Sequence, residues 1–275
     1  MNKVKILTGL TFTGLLVMST GCEKLQSRDE LNHGVQAYRN QKYADAAKHF
    51  KEAVRLDPSS ENALSYLATS YMTQWVPGVD SPDNKKNHDM AVQTFQQLLD
   101  KDPKNNLALG SMAFMAYSSA TNATPEQRTA ALEEARKWNR RRVEVNPKDA
   151  EAYYYLGVID WSEAYTPIQT VRVNQHMKPD DPGPIKDPKV RDDLKAKYQT
   201  AIDSGIEDLQ KSLALNKEND DSMTYLSLLL RKKADLEDST EAAKADINQA
   251  EDWSNKSLEI KKIKANRPAK KTEAA

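Results

Sequence analysis

Apolar residues recur at spacings of three and four along most of the chain, which is the period of an amphipathic α-helix. One such apolar face consists of Ala46, Phe50, Ala53 and Leu56. That helix is predicted to end at Asp57-Pro58, because the residue before a proline is pushed out of the helical region. The same stop recurs at Asp102-Pro103 and Asn146-Pro147, and without the proline at Asn216-Lys217. The pattern predicts pairs of helices separated by regular stops.

The first pair resembles the tetratricopeptide repeat, whose period is 34 residues. Residues 27–60 carry the family's small residue at Gly34, its aromatic residue at Tyr43 and its closing proline at Pro58. Ala46, Phe50 and Ala53 match the second helix of the repeat. The resemblance implies an all-α solenoid of about five helical hairpins, each packing mainly against its neighbours.

Five helical pairs fit residues 27–262, with repeats at about 27–60, 61–105, 106–149, 150–219 and 220–262. The later stops lie more than 34 residues apart, so repeats 2–5 must contain insertions between their two helices. The expected insertions are Trp75–Lys86, Ser118–Thr124, Ser162–Asp187 and Lys233–Ser239. The longest one is rich in proline in its second half, which predicts a loop there. We expect this insertion to be a recognition element on the rim of the solenoid and not a support for the core.

The N-terminus has the pattern of an export signal. Lys3 and Lys5 precede a thirteen-residue apolar stretch, Ile6–Met18, which is too short to span a bilayer. Gly21-Cys22 then resembles the lipobox of bacterial lipoproteins, which implies that Cys22 is the lipidated first residue. As the only cysteine, it can form no internal disulfide. The expected organisation is a signal peptide at 1–21, a lipidated tether at 22–26 and the repeats from 27.

The resemblance to lipoproteins places the protein in the bacterial cell envelope, anchored by lipid on the periplasmic side. Glu23 follows the cysteine, in place of the aspartate that retains some lipoproteins at the inner membrane, so the outer membrane is favoured. Residues 22–260 carry a net charge of −7, which gives no electrostatic footprint for nucleic acid. Residues 263–275 are basic and predicted to be disordered.

No catalytic or metal-binding motif stands out. The four histidines, His33, His49, His88 and His176, are widely separated in sequence and none forms an i,i+4 metal pair. No second cysteine is present, and neither a dinucleotide-binding nor a phosphate-binding glycine motif occurs. We therefore expect surface histidines, no metal, no cofactor and no enzymatic activity.

The resemblance implies a concave groove lined by the first helix of each repeat. The positions transferred to this chain are Tyr38, Tyr66, Met72, Phe114, Tyr117, Tyr154, Tyr155, Trp161 and Tyr225. Eight of these nine residues are aromatic, although aromatic residues make up 7% of the chain. Stacking and apolar anchoring would therefore dominate binding in the groove.

The expected function is a lipid-anchored scaffold that binds an envelope protein or peptide segment. Two alternatives remain open at this point. One is a lipoprotein that binds a solute or a cell-wall polymer, in which the groove tyrosines would face sugar rings. The other is an enzyme whose site is built from the insertions, which would require acid, base or nucleophile groups to converge in a pocket.

Overall fold

The computed structural model describes residues 12–178 and 181–267, with side chains described from residue 22 onward. This part of the chain contains ten α-helices and no β-strand, which confirms the all-α repeat fold. The helices are α1 (Phe12–Arg39), α2 (Tyr43–Leu56), α3 (Glu61–Gln74), α4 (Pro82–Lys101), α5 (Asn106–Thr121), α6 (Pro125–Val145), α7 (Ala150–Asn174), α8 (Pro188–Leu215), α9 (Asp220–Leu236) and α10 (Thr240–Ala265). The start of the expected signal peptide, residues 1–11, and residues 268–275 of the expected tail lie outside the described residues.

The chain divides into two compact units, Met1–Asn122 and Ala123–Ala275. The first, called here the N-terminal unit, contains α1 to α5, with α1 packed on α2, α2 on α3 and α3 on α4. The second, the C-terminal unit, contains α6 to α10, with the closest packing between α7 and α8 and between α9 and α10. Consecutive helices thus pair as the repeat pattern requires.

Each predicted stop between repeats has the same capping geometry. After the second helix, the stop residues Asp57, Asp102, Asn146 and Asn216 donate their backbone N–H to a carbonyl of the helix that they end. Three residues later, the side chains of Ser60, Asn105, Asp149 and Asn219 accept a backbone N–H at the start of the next helix. Asn216 occupies this geometry without a following proline. The paired caps therefore end and restart the helices, and proline only reinforces the stop.

Within the repeats, the helices run further into the insertions than the sequence predicts. The described segments outside helices shrink to 75–81, 122–124, 175–178 with 181–187, and 237–239. At the second repeat, Ser81 accepts a hydrogen bond from the backbone N–H of Asn84 at 3.2 Å, and Pro82 suits the first turn. At the fourth repeat, α7 continues through Pro167 because residues beyond it still have a core to pack against. Ile168, one residue later, is completely buried.

The expectation that Ser162–Asp187 stands apart from the core is wrong. Ala164, Ile168, Met177 and Ile185 are buried in one apolar cluster with Leu226 and its neighbours on α9. The backbone N–H of Ile185 donates to the carbonyl oxygen of Asp235 at 2.9 Å. Residues 175–178 and 181–187 are not helical, as the prolines predict. The segment is nevertheless a structural part of the C-terminal unit, because its apolar side chains are buried.

The α7–α8 pair is close because two glycines lie at its interface. A Cβ atom on Gly157 would lie 2.4 Å from Cγ of Leu209, and one on Gly205 would lie 2.8 Å from Cβ of Asp160. α8 has 28 residues against 14 in α2, so the second helix of this repeat is extended. The extension provides the surface on which α7 packs.

In repeats 3 and 5, Asn139 and Ser254 stand midway along the second helix, where the tetratricopeptide pattern has a large apolar residue, and a tryptophan precedes each of them. Asn139 is completely buried, and its Nδ2 donates to the carbonyl oxygen of Ala135 at 2.9 Å. The neighbouring Trp138 is 5% exposed. Trp253, which precedes Ser254, packs half-buried against the core of the C-terminal unit. Each of these two helices therefore still presents a large apolar side chain next to the polar residue.

Candidate functional site

The nine residues predicted to line a groove divide between the two units. Tyr38, Tyr66, Met72, Phe114 and Tyr117 lie in the N-terminal unit, and Tyr154, Tyr155, Trp161 and Tyr225 lie in the C-terminal unit. All nine lie on the first helix of a repeat, at positions that the helices α1, α3, α5, α7 and α9 provide. Each unit therefore presents its own set of aromatic side chains.

In the N-terminal unit, some of the predicted groove residues pack against other side chains of the same unit. The Tyr66 ring stacks on Phe50 with ring centroids 5.2 Å apart, although 40% of Tyr66 remains exposed. The Tyr38 ring meets Tyr43 edge-on at 5.0 Å, and its hydroxyl shares a hydrogen bond of 3.0 Å with the Thr73 hydroxyl. Phe114 is 47% exposed, so it and Tyr66 are the members of this set with the most surface available for a partner.

In the C-terminal unit, the four groove residues form a continuous aromatic cluster. Tyr154 contacts Tyr155 and Tyr225, with ring centroids 5.1 Å and 5.8 Å away. Trp161 meets Tyr225 edge-on at 5.3 Å. Tyr154 and Trp161 are seven residues apart on α7, which places them on one helix face, and Tyr225 from α9 bridges them. All four rings are half-buried, so each also offers surface to solvent.

Tyr165 extends this cluster, and sequence reasoning did not include it. Its ring lies 4.7 Å from Trp161 at an angle of 31°, and 38% of the residue is exposed. The ammonium group of Lys232 lies 5.9 Å from the centre of the Tyr165 ring, within the range of a cation–π contact. The signal in the sequence was the spacing of four from Trp161, which keeps the next aromatic ring on the same helix face.

Trp161 carries a hydrogen-bond donor that is not used within the described residues. Its indole Nε1 is buried and has no hydrogen-bond partner in that part of the chain. An unsatisfied buried donor costs about 1–3 kcal/mol. The side chain also packs against the core cluster of the unit. Trp161 therefore has both a packing role and a free donor.

Buried charges connect the helices behind this surface. The Arg136 guanidinium forms an ion pair with Asp160 and bonds Glu163 at 2.6 Å. Burial raises the pKa of Asp160 to about 6, and the positive charge of Arg136 opposes that rise. Asp160 is 2% exposed, so its carboxyl group holds α6 against α7 and has no open face for a substrate.

A cavity of about 390 Å³ is lined in part by Glu163, which accepts a hydrogen bond from Arg136, and the sequence did not indicate it. Its lining includes Arg128, Glu163, Thr166 and Tyr198. Burial, and then the negative charge of Glu163, raises the pKa of the Tyr198 hydroxyl. One carboxylate oxygen of Glu163 is engaged in the ion pair with Arg136 at 2.6 Å.

Two of the four histidines, which are widely separated in sequence, lie side by side in the structure. His33 on α1 and His49 on α2 have ring centroids 5.6 Å apart, and both lie beside Glu30. His88 lies elsewhere, with its ring 5.2 Å from Trp75. Separation in sequence did not reveal the pair, because the antiparallel packing of α1 on α2 brings residues 16 positions apart together.

The comparisons with known proteins show the fold more firmly than the family. The family model of the plant-specific mitochondrial import receptor subunit TOM20 matches residues 34–154, less than half of the chain. The Arabidopsis thaliana mitochondrial import receptor subunit TOM20-3 is 30% identical over 79 residues. That match covers 29% of this chain and 39% of the relative, so the chain spans about two-fifths of the relative's length.

Solved structures match over a larger part of the chain. The MamA protein has a TM-score of 0.52 at 15% identity, covering 91% of this chain and 97% of that one. A MamA chain from Desulfovibrio magneticus has a TM-score of 0.50 at 16% identity, covering 86% and 96%. The thermophilic tetratricopeptide protein TTC0263 of Thermus thermophilus scores 0.43 at 18% identity, covering 87% and 97%. Together with the capped helical hairpins, the MamA likeness shows a tetratricopeptide-like helical-repeat fold.

Proposed function

We propose that this protein is a non-enzymatic scaffold that binds a segment of a partner protein on the aromatic cluster of its C-terminal unit. The observation that carries the proposal is the continuous contact of Tyr154, Tyr155, Trp161, Tyr165 and Tyr225, which brings five rings from α7 and α9 to one surface. Tryptophan and tyrosine dominate binding energy at protein interfaces, because they combine a large apolar area with few rotatable bonds.

The state of these rings supports binding more than simple packing. A purely structural cluster would be buried throughout, but Tyr165 is 38% exposed and its neighbours are half-buried. The helical-repeat fold supports the same proposal, because stacked repeats present extended binding surfaces.

Lipid anchoring at Cys22 is the second part of the proposal. Cys22 is exposed, as are all side chains from Cys22 to Gln26, and Ser27 is the first buried side chain that the structure describes. The Ser27 hydroxyl donates to the carbonyl oxygen of Ala53 at 2.8 Å, so packing of the repeats starts at that residue. Among the described helices, none combines the length and the apolar composition that a membrane span needs. We propose a place in the bacterial envelope, on the periplasmic side of the outer membrane.

Site-specific crosslinking from the cluster tests partner binding. A photoreactive residue at Tyr165 should capture a discrete protein in the native envelope, whereas one at Leu258 on α10, 53% exposed, should not. Capture of cell-wall polymer at Tyr165 would favour the alternative of a polymer-binding lipoprotein. Equal capture from the two positions would contradict a defined binding surface.

The substitution Trp161→Ala tests the same surface by affinity. Truncation at a contact centre costs more than about 2 kcal/mol, which is roughly a thirtyfold loss of affinity for the captured partner. Trp253→Ala is the matched control, because it removes another half-buried indole from the same unit outside the cluster. Loss of affinity in both variants, together with a lower melting temperature, would assign Trp161 to the core.

Cys22→Ser tests the anchor separately from the binding surface. The variant should appear in the soluble fraction or keep an uncleaved signal, because it cannot accept lipid. Unchanged membrane retention with an unchanged N-terminus would contradict lipidation at this residue.

A further inference from the structure

Glu30, His33 and His49 converge on one side of the α1–α2 hairpin. One ligand atom from each side chain lies within 4.8 Å of those of the other two. Nδ1 of His49 is 2.7 Å from Oε2 of Glu30, and the two imidazole rings meet edge-on at 5.6 Å. Glu30 and His33 are three residues apart, which places them on one face of α1. His49 reaches that face from α2.

We propose that these three side chains form a binding site for a zinc-like divalent transition metal. Two imidazoles and one carboxylate are a ligand set that zinc uses when it keeps one coordination position open. The set also suits Cu²⁺ and Ni²⁺, whereas Mg²⁺ and Ca²⁺ prefer oxygen ligands alone. The site does not depend on the proposed binding function, because it lies in the other unit.

The geometry requires a modest adjustment to bind metal. Zinc–ligand bonds of about 2.0–2.2 Å in a tetrahedral site place the ligand atoms roughly 3.3–3.5 Å apart. The ligand atoms, which now lie within 4.8 Å of one another, must therefore approach by about an ångström. The three side chains retain exposed fractions of 30% for Glu30, 53% for His33 and 39% for His49, so they have room to rotate. The backbone of the hairpin already holds them on facing positions.

A cavity beside the two histidines leaves space for a fourth metal ligand. A cavity of about 410 Å³ is lined by both histidines and also by Gln36, Asn40 and Lys48. The ammonium group of Lys48 forms an ion pair with Asp45 at 3.0 Å. Asp29 adds a further carboxylate 3.9 Å from Nε2 of His33. The open position would hold water or a donor atom of a bound partner.

A simpler interpretation is that Glu30 and His49 form an interhelical hydrogen bond and nothing more. That interpretation accounts for their 2.7 Å contact. It gives no role to His33, whose loss should then leave every property of the site unchanged. His33 therefore distinguishes a metal site from a hydrogen bond.

The test is calorimetric titration of the full chain with Zn²⁺ in a Cys22→Ser background, which removes the one thiol. We expect saturable binding with one Zn²⁺ per chain. His33→Ala and His49→Ala should each weaken it by at least about a hundredfold, since loss of even an outer-shell partner costs about 10–100-fold. His88→Ala is the matched control, because its ring also lies beside a carboxylate, 3.1 Å from Asp89, and it should leave the affinity unchanged.

Circular dichroism of each variant checks that helix content is retained. Co²⁺ substitution adds a second readout, because a tetrahedral site with nitrogen ligands gives visible absorption bands that His33→Ala should abolish. The proposal is overturned if Zn²⁺ does not bind with this stoichiometry, or if His33→Ala binds it as tightly as the unmodified protein. An equal loss in His88→Ala would overturn it as well.

Discussion

Replacement of Asp235 by asparagine should strongly destabilise the C-terminal unit. Asp235 lies near the end of α9, where its carboxylate pairs with Arg172 of α7 and with Lys232 at 2.7 Å. The side chains are 2%, 5% and 9% exposed, respectively. Asparagine keeps the size of the side chain but removes the only negative charge of this group. Two buried cations would then face each other without compensation.

The magnitude follows from the contacts that survive. Removing one partner of a buried ion pair costs about 3–5 kcal/mol, because the remaining charge stays desolvated. Arg172 keeps hydrogen bonds to the carbonyl oxygens of Lys178 and Asp181, at 2.7 Å and 2.9 Å. Burial also lowers the pKa of Lys232, so this lysine can lose its proton at a reduced cost. We therefore expect the lower end of the range, about 3 kcal/mol.

Urea unfolding followed by circular dichroism measures this loss, and calorimetry should show a melting temperature lower by about 6–12 °C in a domain of this size. Asp238→Asn is the matched control. Asp238 pairs with Lys195 at 2.8 Å three residues further along, but it is 70% exposed, so solvent screens the pair and its loss should cost far less than the loss of Asp235. Similar losses in the two variants would refute the assignment of Asp235 as a buried structural anchor.

Two further predictions concern α7. Since burial raises the pKa of Asp160 to about 6, above its unfolded value near 3.9, the folded state binds its proton more tightly. This contribution to stability is present below about pH 4 and is lost as the pH rises to about 6. The stability of the unmodified protein relative to Asp160→Asn should therefore fall by about 2–3 kcal/mol over that window in urea titrations, and a pH-independent difference would contradict it. Gly157→Ala should cost about 1–3 kcal/mol by thermal melting because its Cβ would overlap Leu209, whereas Gly110→Ala, with open space around it, should gain up to about 1 kcal/mol. Stabilisation by both alanines would show that α7 and α8 can move apart freely.

Local sequence was sufficient to predict the helices and the stops between repeats. Spacings of three and four located the apolar faces, and Asp57 and its counterparts located the stops, because capping depends on residues only three positions apart. The predicted first helix of the fourth repeat ended before Ser162, whereas α7 continues to Asn174. The cause of this difference is tertiary packing. A helix containing Pro167 continues only because Ile168 beyond it is buried.

The candidate site shows the same division between local and tertiary information. The nine groove positions could be transferred from a repeat pattern, but which of them touch depends on how α7 packs on α9. Tyr165 joins the cluster through its contact with Trp161, and Tyr66 is partly used by stacking on Phe50. The pattern predicted the helix face on which each ring lies, and packing determined its neighbours.

The sequence by itself determined the fold class, the repeat number and the positions of the helix stops, because all three depend on interactions within one or two helical turns. Only the tertiary structure decided that residues 162–187 belong to the core and that His33 and His49 lie side by side. Both outcomes depend on contacts between residues far apart in sequence. The Arg172–Asp235 pair joins positions 63 residues apart, and no local pattern specifies which distant charge a buried arginine will meet.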